Sequence, residues 1–181
     1  DRLPGDDRFY FKTEALERAR VLLIDGDPGI SSFSSETFYL RLGLSPTSSG
    51  VSVGQSPLIV RVITPEEFLE EKWDDFSVIF LANVGKISNS WKAKLTSFLR
   101  QGKGIVFSLG DNVDTEEYNL FFGDILPADL IEVKGKSREP REFVSVSFQD
   151  FTHPILEVFA GGKEGDLTRA SFYRYFATRV K

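Results

Sequence analysis

Four short apolar runs, each closed by turn-forming residues, recur along the first two thirds of the chain. Val21–Ile24 runs into Asp25-Gly-Asp-Pro-Gly29, Leu58–Ile63 into Thr64-Pro65, Val78–Leu81 into Asn83, and Ile105–Leu109 into Gly110-Asp111-Asn112. Continuous apolar runs of this length are the pattern of strands covered on both faces, as in a parallel sheet. Helical patterns separate them. Ser34 or Ser35 caps a helix through about Leu42, with Phe38, Tyr39 and Leu42 on its inner face. Thr64-Pro65-Glu66-Glu67 joins a capping threonine, a first-turn proline that loses no hydrogen bond, and a glutamate that completes a capping box. Asn89–Arg100 carries Trp91, Leu95, Phe98 and Leu99 at core spacing, and Gly102 stops it at a left-handed cap. Such alternation predicts a three-layer α/β/α sandwich of flavodoxin-like type. Its sheet is mainly parallel, in the order about 2-1-3-4 with edge strands beyond.

Past Thr115 the pattern changes. A short helix is expected over Glu116–Phe122, an alternating edge or antiparallel strand over Glu142–Phe148, and a helical turn from Thr152-His153-Pro154 to Phe159. The tail from Leu167 is aromatic and basic. Residues 20–181 therefore read as one α/β domain, and residues 1–19 as an N-terminal extension or the last strand of a preceding domain.

Composition narrows the function. The chain holds 181 residues, 41% hydrophobic and 27% charged, the balance of a globular protein with a real core. A formal charge of −5 repels phosphate backbones, so nucleic acid is not an expected partner. The basic stretch Lys134, Lys136, Arg138, Arg141 is interrupted by Glu139 and Glu142 and reads as a solvated loop. Cysteine is absent, which removes disulfides, thiolate zinc sites and thiol nucleophiles. No apolar run approaches the ~20 residues that span a bilayer, so no direct membrane contact is expected of this segment. The chain opens on Asp1 and is expected to be a segment of a larger protein.

In open parallel sheets, ligands bind beyond the carboxyl ends of the strands, near the switch in strand order. The residues there are Asp25, Gly26 and Asp27 after the first strand, Asn83 after the third, and Gly110, Asp111 and Asn112 after the fourth. One reading has Asp25, Asp27 and Asp111 holding a cation or a small polar ligand, since hard cations take carboxylate oxygens. If any metal is held, Asp25 and Asp27 are the ligands. The other reading has the same side chains making turns and caps. No cofactor is expected. His153 is the only histidine and hence the only imidazole base available, with Glu157 one helical turn away.

Three families bear comparison. Asp25-x-Asp27 resembles the haloacid dehalogenase phosphotransfer motif, although Gly29 stands where that family has Thr or Val. Val21–Asp27 resembles the opening of a response-regulator receiver, but Asn83 occupies the phospho-accepting position, which implies a pseudo-receiver. The longest resemblance runs through Val21-Leu-Leu-Ile-Asp25-Gly-Asp27-Pro, Ser35-Glu36-Thr37-Phe38, Leu81-Ala-Asn83-Val84, Gly102-Lys-Gly104-Ile-Val-Phe107, Leu109-Gly110-Asp111 and His153-Pro154. This series resembles class I glutamine amidotransferase-like domains, more narrowly those of bacterial aerotolerance-type (BatA-like) membrane proteins, whose relatives often carry a von Willebrand factor A domain. The resemblance implies a parent protein anchored in a bacterial inner membrane.

Active amidotransferases place a cysteine on a strained strand-to-helix elbow. The corresponding elbow here is Phe107-Ser108-Leu109-Gly110-Asp111, with Leu109 in the nucleophile position and Ser108, an in-strand neighbour, facing the opposite way. The expectation is a non-catalytic interaction or scaffolding domain, with an atypical amidotransferase or hydrolase using His153 as the enzymatic alternative. Aromatic clusters stand at the two ends, Phe9-Tyr10-Phe11 and Phe172, Tyr173, Tyr175 and Phe176 among Arg169, Arg174 and Arg179; one reading has them pack on a neighbouring domain or a second copy, the other has them fold back onto the sheet's own edges.

Overall fold

A computed structural model describes residues 18–46, 56–85, 87–135, 143–146, 152–159 and 169–181. Phe9, Tyr10 and Phe11, most of the polar loop after Leu44, and Lys136, Arg138, Glu139, Arg141 and Glu142 lie outside the described residues. The chain groups into two compact units, Asp1–Asn112 and Val113–Lys181.

The first unit is built on four parallel strands, β1 (Ala19–Asp25), β2 (Leu58–Ile63), β3 (Val78–Ala82) and β4 (Gly104–Ser108). Their order is β2-β1-β3-β4, with Leu23 opposite both Val62 and Phe80, and Leu81 opposite Phe107. This is the doubly wound α/β arrangement that the four apolar runs predict. β1 is central and buried from Val21 to Asp25. The step from β1 to β2 runs one way along the sheet, while the steps to β3 and β4 run the other way. Right-handed crossovers then place the first connection on one face and the later two on the opposite face.

The later two connections share an aromatic core. The capping box at Thr64 starts one turn of 3-10 helix, Pro65–Leu69, with the Thr64 N–H donating to Glu67 Oε2 at 2.8 Å. That turn delivers Phe68 onto α2 (Asn89–Arg100), where its ring stacks on Trp91 with centroids 3.3 Å apart and planes 13° apart. Trp73 meets Phe68 edge-on at 4.1 Å and donates its indole N–H to the Phe68 carbonyl at 3.0 Å. Leu95 and Phe98 complete the buried face of α2. Gly102 ends the helix in the left-handed region, at φ 78°, as its position after the last core residue predicts.

On the first connection, the helix expected from Ser34 begins later. A 3-10 turn spans Ser32–Ser34, and α1 covers Phe38–Leu44 behind Thr37. α1 buries none of its residues fully, and Tyr39 lies exposed rather than inward, as does Leu42 to a lesser degree. Polar anchoring of the residues just before α1 is the physical reason. Their contacts belong to the candidate site.

The second unit opens on α3 (Thr115–Phe122), capped by Asp114, whose Oδ1 accepts from the Glu116 and Glu117 amides at 2.9 Å each. Two strands that the sequence pattern did not disclose follow, β5 (Ala128–Gly135) and β6 (Arg174–Val180). They pair antiparallel with each other in a separate two-stranded sheet, not as edges of the parallel sheet. Lys134 lies in β5 rather than in a loop, paired with Glu132. Of the strand expected over Glu142–Phe148, the described part is a single antiparallel bridge between Val144 and Phe172. Asn119 ties α3 to β5 by donating to and accepting from Leu130. Arg179 donates to Asp129, and that bond first of all holds the Asp129 carboxyl below its usual range. Among the described residues, no helix is long and apolar enough to cross a membrane.

Candidate functional site

Asp25 ends β1 as a buried residue, 2% exposed. Its Oδ2 accepts from the Ser35 hydroxyl at 2.5 Å and the Thr37 hydroxyl at 2.7 Å, and its Oδ1 accepts from the Asp27 amide at 3.2 Å. The Ser-x-Thr pair before α1 thus clamps the strand end. Asp27, by contrast, is exposed and accepts from the Gly29 amide at 3.2 Å, a local turn.

Asn83, directly after β3, lies in the left-handed region at φ 51°, the only non-glycine residue there among the described residues. Asparagine tolerates that conformation better than most side chains. The residue is 3% exposed, and its side-chain amide ties three loops together. Nδ2 donates to Glu36 Oε1 at 2.9 Å, and Oδ1 accepts from the Asn112 amide at 2.7 Å. The Asn112 side chain returns a donation to the Gly26 carbonyl at 3.1 Å. The loops after β1, β3 and β4 are therefore stitched through one buried amide.

The fit around it is close. A Cβ on Gly26 would lie inside the Asn83 carbonyl and 2.7 Å from the Val84 nitrogen. One on Gly110 would lie 2.6 Å from Asn83 Oδ1. The structure accordingly brings together Asp25, Gly26, Asn83, Gly110 and Asn112 from the expected constellation, as a packed polar junction. Asp27 and Asp111 are exposed, and among the described residues no group of three or more His, Asp or Glu stands where it could hold a metal ion. Asp25 and Asp27 are engaged in turn and clamp bonding.

The turn after β4 also differs from the expected elbow. Ser108 and Leu109 do not adopt the left-handed backbone, and the left-handed turn belongs to Asn83, one strand over. Ser108 is exposed, and its carbonyl accepts from the Asn83 amide at 2.8 Å. In the second unit, His153 is exposed and uses Nδ1 to accept from the Ile155 amide at 3.2 Å, while its carbonyl accepts from Leu156 and Glu157. An imidazole so placed caps a turn.

A cleft that sequence reasoning missed opens beside the junction, over the carboxyl ends of β1 and β2. Its volume is about 360 Å³, and Asp25, Phe38, Arg41, Val62, Ile63 and Glu67 help to line it. The available signal was Ser35-Glu36-Thr37, three polar residues directly ahead of a helix. Their role is visible only once Asp25 and Asn83 are seen to receive them.

No protein-family model, no curated protein and no solved structure matches this chain.

Proposed function

We propose that this chain is a non-catalytic, amidotransferase-like binding or scaffolding module of a larger bacterial protein, one that resembles membrane-anchored proteins. The observation that carries the reading is the turn after β4, where a leucine occupies the nucleophile position in a chain without cysteine. The absence of a left-handed elbow at Leu109 and the turn-capping use of His153 Nδ1 support it. Leucine cannot attack a carboxamide, and an exposed Ser108 with no partner base among the described residues is a weak nucleophile at neutral pH. The purified chain is expected to release no ammonia from glutamine above a buffer blank, and His153→Ala is expected to change nothing in that assay. Turnover that disappears with His153 would establish the enzymatic alternative instead.

The interaction side of the reading draws on exposed aromatics. Phe172, Tyr173 and Tyr175 stand about two fifths exposed on and beside β6, with Tyr173 in edge contact with Phe143. Aromatic residues near arginine are favoured at interface cores. Sedimentation velocity across a range of concentrations is expected to show self-association that Tyr173→Ser with Tyr175→Ser weakens. A monomer at every concentration would restrict these residues to contacts within the parent protein.

A further inference from the structure

The cleft over β1 and β2 combines three features. The first is a buried carboxylate without a counter-charge. Asp25 is held by two hydroxyls and one amide, all neutral, and no Lys, Arg or His pairs with it among the described residues. Buried charges are ordinarily paired. An ionised carboxylate offers about four acceptor positions, and these bonds fill three of them, one on Oδ1 and two on Oδ2. The second feature is size: about 360 Å³ falls at the small end of ligand sites, which span roughly 300–1,000 Å³. The third is the wall. Phe38, Val62 and Ile63 give it an apolar side, and Glu67 stands at the rim with no cationic partner among the described residues.

We propose that this cleft binds a small aliphatic ammonium, with the nitrogen at Asp25 and Glu67 and the apolar body against Phe38, Val62 and Ile63. Arg41 is the opposing charge in the lining. It is exposed, so water and salt screen it, whereas the field of the buried Asp25 is screened far less. The balance in the cleft is therefore negative. The site is independent of the turn after β4, so it holds whether or not the chain proves catalytic.

The test titrates n-butylammonium, and separately butyrate, into the whole chain and follows backbone amide NMR shifts. The ammonium is expected to give saturable shifts centred on Asp25, Phe38, Val62 and Ile63 at millimolar concentration, and butyrate none. Asp25→Asn is expected to weaken binding by about tenfold or more, equivalent to about 1.4 kcal/mol. Because that variant also loosens the Ser35–Thr37 clamp, Val62→Trp supplies an independent arm: it fills the cleft from a half-exposed edge-strand position and is expected to abolish the shifts while the fold persists. Absence of saturable shifts with n-butylammonium overturns the proposal. So does butyrate binding at these amides that Arg41→Ala removes, or ammonium binding that survives Val62→Trp.

Discussion

Gly26→Ala is expected to leave the first unit unable to fold cooperatively. The added methyl would occupy the space of the Asn83 carbonyl and crowd the Val84 amide, both backbone groups that no rotamer change can move. Relief requires the β1 and β3 turns to separate. That separation would break the Gly26 amide bond to the Ala82 carbonyl and the Asn112 bond to the Gly26 carbonyl. Overpacking of ordinary core sites costs about 1–3 kcal/mol, and a backbone collision belongs in the rarer class of about 4 kcal/mol or more. Domains have only about 5–15 kcal/mol of stability in total. Gly43→Ala is the matched control, because nothing lies within 4 Å of a Cβ there and alanine favours the helix. Thermal unfolding by circular dichroism should show a collapse for the first variant and an equal or higher midpoint for the second. A Gly26→Ala protein with the parental midpoint would mean that the strand ends are not joined in this way.

Phe68→Ala is expected to cost about 3–5 kcal/mol, the range for removing a large aromatic from a core. The ring has no exposure and touches both tryptophans of the chain, Trp73 and Trp91. Urea unfolding followed by intrinsic fluorescence therefore reads the cluster directly. The midpoint should fall while the denaturant slope stays constant, the signature of lost stability rather than an altered unfolded state. Lys94 lies 5.0 Å from the Trp73 ring and Lys103 lies 4.8 Å from the Phe98 ring, so charge caps the cluster's margin. A change below about 1 kcal/mol would be surface behaviour and would remove Phe68 from the core.

The parallel sheet was legible because its signals are local and mutually consistent. Val21–Ile24 is apolar without a break, Thr64 and Glu67 form their box within four residues, and Trp91, Leu95 and Phe98 keep helical spacing up to Gly102. β5 was hidden for a physical reason. A register irregularity between Leu130 and Glu132 breaks the period-two alternation and leaves Ile131 half exposed. β6 carries Tyr175 and Phe176 side by side, which reads as an aromatic tail and not as one face of a strand. At the site, Asp25 and Asn83 were visible as polar strand ends, but their roles were not. Asn83 reaches Glu36 and Asn112, 47 and 29 positions away, and no local pattern encodes such pairings. Turn chemistry and ligand chemistry use the same side chains. Only the partners distinguish them.

The helix α1 is joined to its unit by hydrogen bonds at its leading end and not by a buried apolar face. Ser35, Glu36 and Thr37 hold it, while its own seven residues include none that is fully buried. A segment retained that way exposes little additional hydrocarbon when it detaches. Its release is a sub-global event with a lower free energy than unfolding of the sheet. The wall of the cleft that carries Phe38 and Arg41 is therefore the side expected to open before the sheet does. The side chains that decide how firmly that wall is held, Asp25 and Asn83, thus lie outside the helix itself.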